Sequence, residues 1–489
     1  MILGRLLVRI IGLISTIILA RILAPADFGL VAIATLIVGV LDIVSEFGFD
    51  LALIKDQRAG KDDYDTVWTL SIARGFVTAC LLVALAGYLA EFMNDVRLRE
   101  ILYWLALGAV VDGFKNSGIV DFRKHLQFDK EIRFLLYGKL AQFVAAIACA
   151  VIFRNYWALI VGILVSKAAQ LLLSYMMHPF RPSVSFVRMN AIISFSKWLI
   201  LNNILVFLNT RSDTLILGKF TNAGTVGTYT VGQEIANLST TEFVWPIMRA
   251  VYPGFAKLSD DREKMAQSYL AVLGMVVLCA LPIAIGLGLL AETLVLLMLG
   301  KQWVDAIPII QILVFLGAFR VCWANAASVF LATGRPYLVS AQTSAGLVIG
   351  LPAMLVGVHY AGAIGVSIAL VVAGFGTLAA TFVWITSTLP VSLKDILGVT
   401  WRPVSATIMM AAILLPSLHY WSAPESVPLL IMHALVMSGL GATVFAATIV
   451  TLWVSCGRPV GSEQIILRLM HDRLGHPIIA RLLGSGTAT

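Results

Sequence analysis

Charge is scarce in this sequence. Asp, Glu, Lys and Arg make up 13% of its 489 residues, against about 25% in a soluble chain whose surface must be wetted. That shortage excludes a water-soluble globule. With 59% hydrophobic residues and a mean hydropathy of +0.92, most of the surface must meet lipid. Cysteine is also sparse. Cys80, Cys149, Cys279, Cys322 and Cys456 show no CxxC spacing, so neither a disulfide framework nor a metal cluster is expected. No GxxxxGK[ST] segment is present, which argues against ATP hydrolysis by this chain. Long loops are missing too: the longest is about 15 residues, too short for an extramembrane domain holding a soluble active site. The first apolar stretch is too long, and "LARILAPADFG" too poor a small-residue cleavage site, for a cleaved leader.

What is present is a series of apolar runs. A helix needs about 20 apolar residues to cross the roughly 30 Å hydrocarbon core. By that ruler spans are expected over 2–24, 28–52, 66–89, 98–119, 132–153, 156–177, 192–218, 226–250, 266–290, 304–330, 337–358, 361–386, 402–420 and 428–454, about fourteen in all. The formal charge of +8 needs no nucleic acid to explain it, because basic residues collect in cytoplasmic loops. With both termini cytoplasmic, segments such as "KDQRAGK", "FRKHLQFDKEIR" and "KLSDDREK" fall inside. That side then holds about three times the Lys and Arg of the other.

One short corner occurs twice. "LARILAPADFG" (19–29) and "LGKFTNAGTVG" (217–227) are separated by a constant offset of 198 residues and flanked by apolar runs. An even number of spans between them implies two six-span halves in the same orientation. Parallel repeats of this kind are a transporter plan, with the substrate site between the halves. The expected organisation is an N-lobe of residues 1–190, a C-lobe of 191–390, two further helices in 391–454, and a tail in 455–489. The tail has the pattern of an interfacial amphipathic helix.

These corners and their surroundings carry a family likeness. "ILARILAPADFGLVAIATLIVGVLDIVSEFGFDLALIKD", "DFRKHLQFDKEIRF", "YWALIVGILVSKAAQ", "HPFRPSVSF" and "LGKFTNAGTVGTYTVGQEIANLSTTEFVWPIMRAVYPGFAKLSDD" resemble the Wzx-type flippases of lipid-linked oligosaccharides. That family shares a superfamily with the multidrug (MATE) exporters and the lipid II flippase. The resemblance implies an all-α, MATE-like polytopic membrane fold of two pseudo-twofold-related lobes that alternates access around a central cavity. The expected place is the bacterial cytoplasmic membrane and the expected partner a polyprenyl-diphosphate-linked oligosaccharide. H+ or Na+ and the polysaccharide polymerase and export machinery are further possible partners.

Ionisable groups at membrane depth are costly and mark pathways by default. Arg74, Lys139, Lys167 and Arg320 lie at such depth with no acid three or four residues away. Gln170 falls one turn from Lys167, Asn325 lies near Arg320, and Arg211 is a further candidate. A diphosphate needs cations and a glycan needs amides or hydroxyls, so these seven are the candidate substrate groups. Internal ion pairs that merely pin helices are the alternative for each cation. Lys115 is weaker, because Asp112 at i−3 can neutralise it. A second set, Asp42, Glu46, Asp213, Glu234, Asn237 and Glu242, either binds a coupling ion or pairs with the cations.

The expected activity is therefore flipping without a covalent step, and no catalytic residue or cofactor. An ion-coupled multidrug exporter of the same fold is the alternative, although buried Arg and Lys argue against a cavity for cationic drugs. A membrane glycosyltransferase or polymerase would need larger outer loops than "EFMNDVRLRE" or "HYWSAPESVP". A scaffold within a synthesis complex stays open.

Overall fold

In a computed structural model, residues 2–45, 49–241, 244–424, 426–459 and 461–464 are described, and they contain helices and no strand. By contact the chain forms two compact units. One comprises Met1–Val231 with Val358–Ala363, the other Gly232–Gly357 with Ile364–Thr489.

The first unit holds α1 (Ile2–Ile22), α2 (Pro25–Ser45), α3 (Phe49–Lys55), α4 (Lys61–Phe92), α5 (Arg97–Gly113) and the single turn α6 (Asp121–Lys124). It continues with α7 (Phe128–Phe153), α8 (Trp157–Met177), α9 (Met189–Phe220) and the start of α10 (Ala223–Thr241). The second corner shows why these helices start where they do. Asn222 stops α9 and begins α10, its side chain accepting from the Thr225 amide at 2.9 Å. At the first corner Pro25 opens α2, and Asp27 reaches back to the Ala24 amide at 3.0 Å. The other oxygen of Asp27 takes the Tyr156 amide at 2.9 Å, tying the corner to the start of α8. Leu19 and Leu23 pack on Ala146, Ala150 and Ala158, so α1 lies against α7 and α8. The outer faces stay apolar and open: Val144 is 63% exposed, Leu172 66% and Met176 81%. Exposure of that kind along a whole helix face is a lipid contact.

The second unit holds the rest of α10, α11 (Val244–Lys257), α12 (Arg262–Leu289), α13 (Ala291–Met298), α14 (Ala306–Ala332), α15 (Pro336–Thr388), α16 (Leu393–Tyr420) and α17 (Val427–Ser455). Its main core joins Phe255, Tyr269, Leu273, Val329, Phe330, Ile385 and Ile396 from five helices. The 53-residue α15 is two helices in sequence. Ala361 and Gly362 leave helical geometry, Gly362 with φ +53°. That left-handed step suits glycine. Gly357 and Gly365 flank it so closely that a Cβ on Gly365 would lie 1.9 Å from the Gly357 carbonyl oxygen. Among the described residues, the run expected over 226–250 is helical in α10 and α11, and that over 28–52 in α2 and α3.

Nine helices among the described residues are long and apolar enough to cross a membrane, and other apolar helices accompany them. The chain is an all-α, multi-pass membrane protein.

The link between the sixth and seventh expected spans is an ordered strap. Asp65 of α4 binds Ser183 through both its amide and its hydroxyl, each at 2.8 Å. Thr69 accepts from the Ser185 amide, and Arg188 meets Asp63 at 3.5 Å. Asn116 donates to the Phe180 carbonyl at 2.7 Å.

Candidate functional site

Among the described residues, a dense group of charged and polar side chains sits where α4, α5 and α8 meet. Glycine sets the spacing. A Cβ on Gly75 would lie 2.7 Å from the Ala109 carbonyl oxygen, and one on Gly113 2.7 Å from that of Ser71. Backbones this close place the neighbouring residues, Arg74 on α4 and Asp112 on α5, side by side. Gly108 leaves room for the stem of Lys167, whose Cδ would be 3.2 Å from an added Cβ.

Asp112 is the hub. One carboxylate oxygen faces Lys115 at 2.5 Å and Lys167 at 3.7 Å, and the other faces Arg74 at 3.6 Å. Lys115 also donates to Gln170 at 2.8 Å. All four charged side chains are between one-fifth and one-quarter exposed, so water reaches them only in part. Three cations share one acid, which leaves two positive charges in excess. Asp42 on α2 lies within electrostatic reach of Arg74 and Lys167. When ionised it halves that excess.

Thus Arg74, Lys167, Gln170 and Asp42 come together. Lys115, discounted because of Asp112, is as much a member as the others. Its i−3 acid is divided among three cations rather than spent on one. The small residues next to the charges, Gly75 beside Arg74 and Gly113 beside Asp112, were the available signal.

The remaining candidates stand apart. Lys139 donates to Gln142 at 3.2 Å along α7 and lies under Gly12 of α1. Arg211 is exposed on α9. Asp213 is buried, accepting from the Tyr229 hydroxyl of α10 at 2.7 Å and from the Thr214 amide. In the second unit Arg320 of α14 donates to Asn237 of α10 at 3.0 Å, while Glu234 is exposed on α10. Asn325 is fully buried and turned toward α12, donating to the Tyr269 carbonyl at 3.2 Å. Glu46 and Glu242 lie outside the described residues. Among the described residues no cluster of His, Cys, Asp and Glu could hold a metal ion.

The family described as "polysaccharide biosynthesis protein" matches residues 18–308, more than half of the chain. The chain belongs to this family. Among its relatives, the lipopolysaccharide biosynthesis protein WzxC of Escherichia coli is 28% identical over 402 residues, covering 80% of this chain and 81% of that protein. The succinoglycan biosynthesis transport protein ExoT of Rhizobium meliloti is 23% identical, over 88% and 87% of the two chains. In fold, the lipid II flippase MurJ in its inward closed conformation superposes with a TM-score of 0.72 over 93% of this chain and 99% of that one, at 12% identity. An inward-facing MATE multidrug transporter gives 0.63 over 77% and 93%, at 17% identity. The MATE-like fold of the family is therefore this chain's fold. The hub around Asp112 falls inside the matched residues 18–308.

Proposed function

We propose that this chain is a flippase of the bacterial cytoplasmic membrane. It carries a polyprenyl-diphosphate-linked oligosaccharide from the cytoplasmic to the outer leaflet by alternating access, for exopolysaccharide or O-antigen synthesis. The observation that carries the reading is the Asp112 hub, with Arg74, Lys115 and Lys167 supplied from three parts of the chain beside the amide of Gln170. Two excess positive charges suit a diphosphate, and charge-assisted hydrogen bonds to phosphate oxygens are the strong ones. The transport and biosynthesis names of WzxC and ExoT support the same reading.

Arg320 and Asn237 form a second polar group for the glycan, and Asp42 is the coupling carboxylate. Protonation of Asp42 would raise the excess charge at the hub and favour the anion; ionisation would lower it and favour release. About fourteen spans in lobes of residues 1–190 and 191–390, with 391–454 and the tail 455–489 appended and both termini cytoplasmic, complete the reading. No bond is made or broken, so the chain is a transporter and not an enzyme. A multidrug exporter of this fold would offer cationic drugs an acidic lining, and the hub has the opposite sign.

The test is transbilayer movement of a polyprenyl-diphosphate oligosaccharide in proteoliposomes. Movement that needs the protein and falls at least tenfold in Lys167→Ala, with thermal stability retained, supports the flippase and the site. Movement unaffected by Lys167→Ala and Arg320→Ala returns those cations to helix pinning. Absence of movement with several glycans, with and without an ion gradient, refutes the reading. With an imposed pH gradient, Asp42→Asn abolishes the gradient's effect if Asp42 couples it.

A further inference from the structure

Away from the hub, the first unit has a cavity of about 500 Å3 lined by Ala59, Gly60, Lys61, Tyr64, Asp121, Pro179, Phe180 and Arg181. It opens between the start of α4 and the strap that leads into α9. Its size falls within the roughly 300–1,000 Å3 typical of small-molecule sites. Neither of its two cations forms an ion pair among the described residues. Lys61 makes no ion pair or hydrogen bond among the described residues. Arg181 donates through its NH1 group to the His178 and Phe180 carbonyls at 2.9 Å each, and its guanidinium lies 5.8 Å from the centre of the Tyr175 ring, which fixes it at the rim. Its other N–H donors bond nothing among the described residues.

The one carboxylate in the lining is already engaged. Asp121 accepts from the Tyr64 hydroxyl and faces His178 at 3.4 Å. Lys124 adds a third cation behind it, with its ammonium 5.5 Å from the centre of the Tyr64 ring. Tyr64 and Phe180, 5.5 Å apart, form an apolar wall. Two cations that form no ion pair among the described residues, set beside two aromatic rings, recognise an anion attached to a less polar body.

We propose that this cavity binds a phosphate-bearing ligand, held by Lys61 and Arg181, at the root of the strap joining the two halves of the sequence. The phosphate comes either from a soluble phosphate ester or from the headgroup of an anionic lipid. Because Arg181 and Phe180 belong to the strap, an occupied site fastens residues 178–183 more firmly onto α4. The inference is independent of the flippase reading, since it requires only binding and no transport.

The experiment is hydrogen–deuterium exchange on the full-length protein in nanodiscs, following the backbone of residues 58–64 and 178–185. Inorganic pyrophosphate is titrated into discs of phosphatidylcholine alone, and in parallel phosphatidylglycerol is added to the discs without pyrophosphate. Protection by pyrophosphate in neutral discs assigns a soluble ligand; protection only with phosphatidylglycerol assigns a lipid headgroup. In either case the response weakens at least tenfold in Lys61→Gln with Arg181→Gln, persists in Lys61→Arg, and persists in Lys167→Gln. Lys61→Gln alone guards against misfolding, because that side chain is exposed and supports nothing. Lack of protection under both conditions overturns the proposal. So does protection that survives the double variant, or that disappears only in Lys167→Gln.

Discussion

Gly29 and Gly227 face each other across α2 and α10, and each meets the other's helix at the same place. A Cβ on Gly29 would lie 1.7 Å from the Ala223 carbonyl oxygen, and a Cβ on Gly227 1.8 Å from that of Pro25. Ala223 is to Gly227 what Pro25 is to Gly29, so the contact is reciprocal and repeats the offset between the two corners. The corners are thus two halves of one backbone contact, closed to any side chain. Gly29→Ala is expected to cost roughly 1–3 kcal/mol or more, because the obstacle is backbone and cannot rotate away. Gly227→Ala should cost a similar amount. The double variant should cost less than the sum of the two, since the first substitution already separates the helices. Thermal midpoints of the three variants decide it; strict additivity would mean that the two glycines serve separate contacts.

The hub predicts an asymmetry between removing its acid and removing one of its cations. Asp112→Asn leaves three cations facing one another at membrane depth, whereas Lys115→Met leaves two cations and one acid. Breaking a buried pair by deleting one partner costs roughly 3–5 kcal/mol, and partial access of water places this site at or below the lower figure. Asp112→Asn should therefore lower the thermal midpoint more than Lys115→Met, and the double variant should recover part of the loss. A double variant worse than Asp112→Asn alone would show that Lys115 stabilises by packing and not through the carboxylate.

His178 predicts how the strap responds to acid. Its Nδ1 accepts the Phe180 amide at 3.2 Å, and its Nε2 faces Asp121 at 3.4 Å. That arrangement requires the neutral ring with its proton on Nε2. Burial is the main cause holding its pKa below the ordinary 6.5; Asp121 pulls the other way, and Lys130 and Arg181 add to the depression. The nearby Tyr64 hydroxyl and His125 both turn to Asp121. With the folded pKa depressed, the stabilisation is complete above the unfolded value and is lost as pH falls from there through the folded value. Protonation also puts a hydrogen on Nδ1 and removes the Phe180 bond. Exchange protection of residues 180–188, corrected for intrinsic rates, should drop between pH 7.5 and 5.5, and His178→Gln should remove the pH dependence. A wild-type strap equally protected at both values would refute the assignment.

What the sequence makes legible follows from range. The corners were readable because proline, glycine and a capping side chain act within four residues, and the apolar runs because hydropathy is a property of the run itself. The hub was not. Arg74, the Asp112–Lys115 pair and Lys167 are far apart in the chain, and nothing in one sequence says that α4 and α5 approach through Gly75 and Gly113. Reading Asp112 as the private partner of Lys115 was the natural local reading, and it hid the shared carboxylate. The strap was invisible for the same reason: "HPFRPSVSF" reads as a polar break, and its order depends on Asp65, more than a hundred residues earlier. Asn325 shows the opposite failure, since closeness to Arg320 in sequence placed the two together while helical geometry turned Asn325 into the core.

The end of the described chain carries the last prediction. Arg402 of α16 and Glu463 are 7% and 5% exposed, with the guanidinium Nε 3.3 Å from a carboxylate oxygen. The NH1 group of Arg402 has no hydrogen-bond partner among the described residues. Around them Trp453 donates to the Pro459 carbonyl at 3.0 Å, and Ser462 packs over Gly274 of α12. The segment after α17 is thereby folded back onto α12 and α16, fastened by one buried ion pair. An ion pair so dry gains little over apolar contacts of the same volume, yet loses roughly 3–5 kcal/mol when one member is removed. Glu463→Gln should therefore lower the thermal midpoint and expose residues 456–464 to proteolysis. Arg402→Met combined with Glu463→Met should restore both to near the wild-type level. If the double methionine variant is no better than Glu463→Gln, the pair does more than hold the segment in place, and the charge on Arg402 has a use of its own.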